Sequence, residues 1–507
     1  MALLSRKLLP LVAAAVVLIQ SGCGGAGSHH SNLDRPETTA NQLSSADVQS
    51  VIQNAATAVN VPFVIAVTDR GGNILGIFQK TGAPLTATGN FGATLSTDEL
   101  AVGLARTASF FSNNQAPLSS RTVRFISGIH FPPDVALTAS APLYGIENTN
   151  RGCPINVTFL PGQTLTPARS ISGAGLGTGI VTGKADAFDS DANAVNPGGV
   201  PLFRNGELIG GVGVAGTSAD VAEFAAFTAA VASGFGAHPA SPGVVVIDGI
   251  SLPFVNQTAR PAGLSAGSFS GAFTLGPAAS AGPVPSGDLV AISPGPLGGL
   301  SQTEVQTILD AAVSTANQTR AVIRLPDGQA ARFAIAVADL DGNIIGLRRM
   351  QDSTVFSVDV AVAKARNVIY FSGANPDLPG VPTGTAVTNR TIGFGAQPLF
   401  PSGINSTAPG PFFPLYQYDL ANPCTNGHQP ASANQNGVVF FPGSVPLYKN
   451  GVLVGGLGVS GDGVDQDDYV SAQAAIGFAA PPAIRADQVQ INNVRLPYLK
   501  FPRNPTL

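Results

Sequence analysis

Charge is what this chain has least of. Charged residues make up 11% of 507 residues, against about 25% in an average soluble protein. Hydrophobic residues stand at 44%, so the shortage does not signal charge-driven disorder. Lys and Arg number 26 against 30 Asp and Glu, a net charge of −4, and no basic cluster follows the first seven residues. Electrostatic capture of a phosphate backbone therefore has no support, which argues against nucleic acid as a partner. Histidine occurs five times, cysteine three times, methionine twice and tryptophan not at all. No His/Cys cluster has the spacing of a metal site. Glycine and proline are in surplus, 60 and 40 residues, roughly 20% of the chain where about 12% is usual, and they follow no collagen-like period. That surplus belongs in turns, loops and linkers.

At the N-terminus Arg6 and Lys7 precede the apolar run Leu8 to Ile19, interrupted by Pro10. The run is too short to span a bilayer and suits the core of a secretory signal, so residues 1–22 are expected to be removed. The following Gln20-Ser21-Gly22-Cys23 resembles a bacterial lipoprotein processing site, with Gln20 where leucine is usual. Cys23 would carry the lipid and tie an envelope protein to a membrane; the alternative is ordinary cleavage and a secreted product. Residues 23–42 are small and polar, as a flexible tether needs to be.

The chain repeats itself. Leu43-Ser44-Ser45-Ala46-Asp47-Val48-Gln49 returns as Leu300-Ser301-Gln302-Thr303-Glu304-Val305-Gln306, each a serine cap with an acid three residues on, followed by apolar positions at helical spacing. Ile65 to Gly76 pairs with Ile335 to Gly346, two β-branched runs around a turn opened by Asp69 or Asp339, both expected to be turn formers. Glu99 to Ser112 pairs with Asp359 to Ser372 as helices. Val200 to Val214 pairs with Val445 to Val459, each holding Asn-Gly between apolar runs, the strongest short hairpin signal. Helices Asp220 to Phe235 and Asp465 to Phe478 follow. Ile250-Ser251-Leu252-Pro253-Phe254 finally matches Val494-Arg495-Leu496-Pro497-Tyr498.

The expected fold class is α+β: two homologous domains, each an antiparallel β-sheet packed with helices, in the order helix, hairpin, helix, irregular insert, hairpin, helix, terminal strand. Repeat 1 spans 43–255 with an insert at about 134–197, and repeat 2 spans 300–501 with an insert at about 375–443. Between them, 256–299 reads as a Gly/Ala/Pro/Ser linker packed loosely on the surface, and 502–507 as a tail.

Ala336-Val337-Ala338-Asp339 to Asn343, Arg348-Arg349-Met350, the helix Asp359 to Arg366, and Val445-Pro446 through Gly461 with Asp467 or Asp468 beyond resemble the GlcG/HbpS family of haem-binding or haem-degrading domains. The second repeat is the better match. In the first, Leu104 stands in place of Lys364, Phe78-Gln79-Lys80 replaces Arg-Arg-Met, and Glu223 is the one acid of Ala222 to Ala226. The resemblance implies small α/β units that assemble as dimers and octamers, some binding haem, some corrinoid-linked partners, some with no known ligand. Because this chain carries two copies, the repeats are expected to pack as a pseudo-two-fold dimer within one chain.

Several constellations bear on chemistry. Gly211 to Gly216 and Gly456 to Gly461 fit GxGxxG, but each lies on the return strand of a hairpin with no acid about 20 residues on, so the glycines are expected to admit close packing instead of a dinucleotide. Gly458-Val459-Ser460-Gly461-Asp462 lacks the second glycine of a nucleophile elbow, and no nucleophile–base pair is named. Haem needs an apolar slot, usually an axial ligand, and cations for its propionates. His29 and His30 lie in the tether, His130, His238 and His428 lie in loops or inserts, and none recurs between repeats. Loop histidines are more often solvated than ligating. Arg106 and Arg366 do recur, as do Arg121 and Arg390; with Lys364 they are the candidate binders of an anionic small molecule. Their other reading is a grip on carboxylates such as Glu99 and Asp359, or on carbonyls. Three functions stay open: an envelope-anchored ligand-binding protein with haem as candidate cofactor, a structural or interaction module that has lost its ligand site, and a haem-degrading enzyme. Cys153 and Cys424 follow matching Pro-Leu-Tyr segments and form a candidate disulfide in an oxidising compartment, with two separate thiols as the alternative.

Overall fold

Each repeat opens on a helix started by its own side chains. The computed structural model describes residues 39–153, 155, 179–193, 197–237, 244–373 and 377–507. The signal segment, Cys23, His29, His30, His238 and the middle of the first insert lie outside the described residues. In α1 (Ser45–Ala58) the Ser44 hydroxyl accepts from the Asp47 amide and the Asp47 carboxylate accepts from the Ser44 amide, which satisfies two donors that a helix start leaves orphaned. Strands β1 (Val64–Asp69) and β2 (Ile74–Lys80) form the first hairpin, and β3 (Thr86–Thr88) with β4 (Thr94–Ser96) a short ribbon. Helices α2 (Thr97–Phe111) and α3 (Ser120–Phe125) follow, then β5 (Gly199–Arg204), β6 (Glu207–Ala215) and α4 (Ala219–Ala232). A two-residue ribbon, β7 (Val246–Ile247) with β8 (Ile250–Ser251), closes the repeat.

The segment between the repeats supplies β9 (Gly271–Leu275) and β10 (Gly287–Val290). The second repeat then runs through α5 (Gln302–Ala316), β11 (Phe333–Ala338), β12 (Ile344–Arg349), α6 (Phe356–Ser372), α7 (Asn389–Gly395), α8 (Phe413–Ala421), β13 (Ser444–Lys449), β14 (Val452–Gly461) and α9 (Val464–Ala474), ending on the ribbon β15 (Gln490–Ile491) and β16 (Val494–Arg495). Ser301 and Glu304 cap α5 as Ser44 and Asp47 cap α1. The two main sheets are antiparallel and alike in order, β5-β6-β1-β2-β9 and β13-β14-β11-β12-β10.

Alternation along the central strands sorts the core into layers. Ile65 and Val67 face α1 and α4, whereas Val64 and Ala66 face α2. In the second repeat Phe333, Ile335 and Val337 face α5 and α9, and Ala334, Ala336 and Ala338 face α6. The α6 layer does not stop at its own repeat. Phe110, Phe111, Leu118 and Val123 of the first repeat belong to the same buried cluster, and the Phe111 ring stacks on Phe356 with centroids 4.1 Å apart. Burial of each such large side chain contributes about 1.5–3 kcal/mol. The halves thus pack as a pseudo-dimer within one chain.

Charge crosses that junction too. Arg70 of the first repeat and Arg324 of the second both reach the buried Asp352 at 2.6 Å, and Arg324 also binds Asp462. The two inserts meet as well, sharing a core that includes Tyr144 from the first repeat and Ile392, Phe412, Tyr416 and Phe440 from the second. Cys153 and Cys424 are joined by a disulfide there, their Cα atoms 5.4 Å apart across 271 positions.

Two expectations need correction. The segment 256–299, a loose linker by its composition, adds an edge strand to each sheet: β9 pairs with β2 and β10 with β12. Phe269 and Phe273 pack their rings against Phe78 at 4.6 and 5.1 Å, and Asp288 pairs with Arg348 at 2.5 Å, anchors that average composition conceals. The terminal segments at Ile250 and Val494 form small ribbons of their own and do not join the main sheets; each runs into a proline, Pro253 or Pro497, that cannot donate to a ladder.

Candidate functional site

The recurring arginines hold the same places in both repeats. Arg106 projects from α2 and its Nε donates to the carbonyl of Gly72 at 2.9 Å; Arg366 on α6 does the same to Gly342 at 3.0 Å. Each ties the long helix to the turn of the first hairpin. That turn is built as its sequence demands, with Asp69 accepting from the amide and side chain of Asn73 and Asp339 from those of Asn343. Arg366 also reaches Asn436 Oδ1 at 2.9 Å and, across the repeat junction, the carbonyl of Ile155 at 2.7 Å. Burial pushes both guanidinium groups down to about 10. Arg121 grips Glu223 with two nitrogens, at 2.6 and 3.2 Å, clipping α3 to α4. Arg390 clips α7 to α9 through Asp465 at 2.6 Å and Asp468 at 2.5 Å. Lys364 is fully buried, donating to the Val459 carbonyl at 2.9 Å and to Asp467 at 3.0 Å. Burial lifts the Asp467 carboxyl to about 7, with the ammonium of Lys364 opposing it. Of the anticipated carboxylate partners, Asp359 instead accepts from the Asn150 amide of the first insert and from Asn436.

Each of the five candidate binding residues holds neighbouring parts of the fold together, and two of them, Lys364 and Arg390, meet at the adjacent carboxylates Asp467 and Asp468. The glycine pattern has a similar explanation. A Cβ on Gly213 would overlap the carbonyl oxygen of Ala101, and one on Gly458 that of Ala361, so hydrogen at these positions lets α2 and α6 lie against their sheets.

A polar cluster that the sequence reading missed lies where the inserts meet. Lys184 and Glu147 are both buried, 3.7 Å apart, with Thr182 donating to Glu147 at 2.9 Å and Lys184 to the Ser127 carbonyl at 3.2 Å. The Lys184 ammonium stands 4.7 Å from the centre of the Tyr144 ring. Tyr144 in turn stacks on Tyr416 with centroids 5.1 Å apart. These tyrosines end the matching Pro-Leu-Tyr segments, so the recurrence that pointed to the cysteines also marked this contact. Asp419 on α8 accepts from the Val438 amide at 3.0 Å, and burial raises its carboxyl well above the usual range.

The two described histidines differ in how their rings are engaged. His130 has both nitrogens occupied, Nδ1 with Ser190 at 3.0 Å and Nε2 with Asn405 at 3.2 Å. His428 uses Nδ1 alone, 2.5 Å from Asp377 Oδ1, and its side chain is 55% exposed while that of Asp377 is 5% exposed. The other oxygen, Asp377 Oδ2, accepts from the Tyr370 hydroxyl at 2.7 Å and from the His428 amide at 2.9 Å. Among the described residues no group of three His, Cys, Asp or Glu side chains could hold a bare metal ion. An apolar recess lined by Pro117, Leu118, Val244, Leu252 and Phe254 among others has a cavity volume of about 10 Å³, far below the roughly 300–1,000 Å³ of ordinary ligand pockets.

No curated protein matches the chain. Among solved structures, a PduOC–haem complex is similar at 22% identity and a TM-score of 0.24, over 35% of this chain and 94% of that one. The Klebsiella pneumoniae protein ORFY, of family DUF336, is similar at 18% identity and a TM-score of 0.23, over 35% of this chain and 88% of that one. The model of the HbpS-like family, described as haem degrading protein HbpS-like, matches residues 41–231 and 300–476, one segment in each repeat. The chain belongs to the HbpS-like family and carries its domain twice in tandem.

Proposed function

We propose that the protein binds haem as an envelope-anchored member of the HbpS-like family. The observation that carries this reading is the family match over both repeats, to a family described by its action on haem. Haem brings two propionates and an iron with open axial positions. The four recurring arginines and Lys364 do not fit the propionates, because each already binds a carboxylate or a carbonyl inside the fold. Of the two described histidines, His428 is the one with a largely exposed side chain, its Nδ1 paired with Asp377. Anchoring rests on the signal-like segment and Cys23. The disulfide supports an oxidising compartment. Among the described residues no helix is long and apolar enough to cross a membrane.

Titration of the purified protein with haemin is the direct test: a saturable Soret band shifted from that of free haemin is expected, and its absence overturns the reading. Cys23→Ala should release the protein from membranes; unchanged membrane association overturns the lipid anchor. A second reading, a structural or interaction module, draws support from the intramolecular engagement of every recurring cation and is favoured if no Soret shift develops.

A further inference from the structure

We propose that this chain associates head to tail with further copies of itself: an acidic, apolar lobe formed by the two inserts of one copy receives the basic, apolar C-terminal tail of the next. The inference goes beyond ligand binding and stands whether or not haem is bound. The lobe is where the inserts stop burying their apolar side chains. Leu137 is 69% exposed, and Val135, Phe188 and Ile404 are exposed as well. They come from three segments that the fold brings together. The Leu137 amide donates to Asn405 Oδ1 at 2.7 Å, the Asp134 amide to the Ser190 carbonyl at 3.1 Å, and the Phe188 ring lies 5.6 Å from that of Phe413 on α8.

Charge on the lobe has one sign. Asp134, Asp186 and Asp191 are exposed in the same segments. Their carboxylates accept from the main-chain amides of Ala192, Phe188 and Asn193, which orders the loops and leaves the negative charge in place. Lys184 is the sole Lys or Arg of 126–150, 179–193 and 396–412, and it is buried. Single exposed apolar residues are ordinary on a protein surface, but a contiguous group of them marks a place for a partner. The carboxylates select one that brings cations beside aliphatic or aromatic groups.

The tail carries both. Residues 500–507 lie beside the end of α5, where the Leu507 amide donates to the Gln318 carbonyl at 3.0 Å and the Arg320 amide to the Pro505 carbonyl at 2.7 Å. Phe501 meets the Tyr469 ring of α9 with centroids 5.6 Å apart and is still 45% exposed, and Leu507 is 55% exposed. Arg320, Lys500 and Arg503 are exposed around them. Asp465 pairs with Lys500 at 2.7 Å and Asp327 is exposed in the neighbouring turn, so the surplus charge here is positive. The family match ends at 476, and a contact built on the tail is therefore no property of the matched domain. Because lobe and tail are different surfaces, each pairing leaves one of each open, and the contact repeats until a ring closes or a filament grows.

The experiment is sedimentation velocity of the whole mature chain carrying Cys23→Ser, so that no lipid holds copies together. With all other residues native, the mean mass should rise with protein concentration. It should fall as salt is raised from about 0.1 to about 1 M, where the screening length shrinks from about 10 to about 3 Å. Asp134→Lys with Asp186→Lys should weaken association at least about tenfold, and Arg320→Glu with Arg503→Glu equally, since each sets like charges face to face. Mixing the two variants should restore it, because the reversed lobe of one then meets the reversed tail of the other, and that recovery shows both to be folded. Leu137→Ser should weaken association at either salt. The proposal fails if the chain stays a monomer at every concentration. It fails equally if both charge variants associate as the parent chain does, or if mixing them restores nothing.

Discussion

At matching depths in the two repeats, the helix packed beneath the sheet meets its neighbours with opposite chemistry. In the second repeat α6 buries Lys364 against Asp467. In the first, Leu104 on α2 stands at the position of Lys364 and Ala222 on α4 at that of Asp467, and all four side chains are buried. Around this exchange the rest is constant: an arginine from the helix to the hairpin turn, an arginine from the next short helix to an acid one position further on, and glycines under the helix. The fold therefore depends on the close helix–sheet approach and the arginine clips, and accepts either an ion pair or an apolar pair beside them. That tolerance follows from the near cancellation, in a buried pair, of Coulomb attraction by loss of hydration.

The comparison breaks most visibly if the halves can be uncoupled. Replacing both cysteines, Cys153→Ser with Cys424→Ser, should lower stability by several kcal/mol, on the order of 5 in the chain-entropy description of a loop of 271 positions. Because Phe110 and Phe111 share a core with α6, unfolding should stay a single transition by circular dichroism; two separated transitions would show that the repeats are independent units. Next in size is the ion pair. Lys364→Leu leaves Asp467 buried without its cation and should cost about 3–5 kcal/mol at pH 8 by urea unfolding. The double variant Lys364→Leu with Asp467→Ala copies the first repeat and should fall within about 1 kcal/mol of the wild type, or above it. A double variant as unstable as the single one would mean that the repeats are not interchangeable here.

Gly213→Ala and Gly458→Ala should each cost about 1–3 kcal/mol, and by similar amounts, since each sets a methyl group against a helix carbonyl, that of Ala101 or Ala361. A large cost in one repeat alone would show that only that helix is held tightly. The smallest expected signal is a pH slope. The Asp467 carboxyl rises from 3.8 to about 7 on folding, so its contribution to stability is complete below about pH 4 and is lost as the pH climbs through 7. Wild type minus the double variant, measured by urea midpoints from pH 4 to 8, should show that downward slope; a flat difference would place the ionised carboxylate at no disadvantage in the fold.

Legibility in the sequence followed the range of the interaction. Ser44 with Asp47, Asp69 with Asn73, and Asn205-Gly206 are set by neighbours within a few residues, and each takes the conformation read from it, Asn205 and Gly206 both at positive φ. Arg106 and Arg366 were visible as a recurrence in a chain poor in charge, but their partners, the carbonyls of Gly72 and Gly342, have no side chain to announce them. The linker strands were hidden because their anchors, Phe269, Phe273 and Asp288, act on residues far along the chain. His428 was one loop histidine among several, since its partner Asp377 lies 51 positions away in a segment of unrelated pattern.

The sequence by itself determined the duplication, the α+β class, the hairpin turns and the helix starts, because these rest on local periodicity, capping and backbone preference that every copy of the motif must carry. Only the tertiary structure decided that the repeats share a core, that the inserts close on each other through Tyr144, Tyr416 and the disulfide, and that the recurring cations serve the fold. The physical reason is that a buried charge or an edge strand is stabilised by whichever group the folded chain brings to it, and that group's place in the sequence is unconstrained.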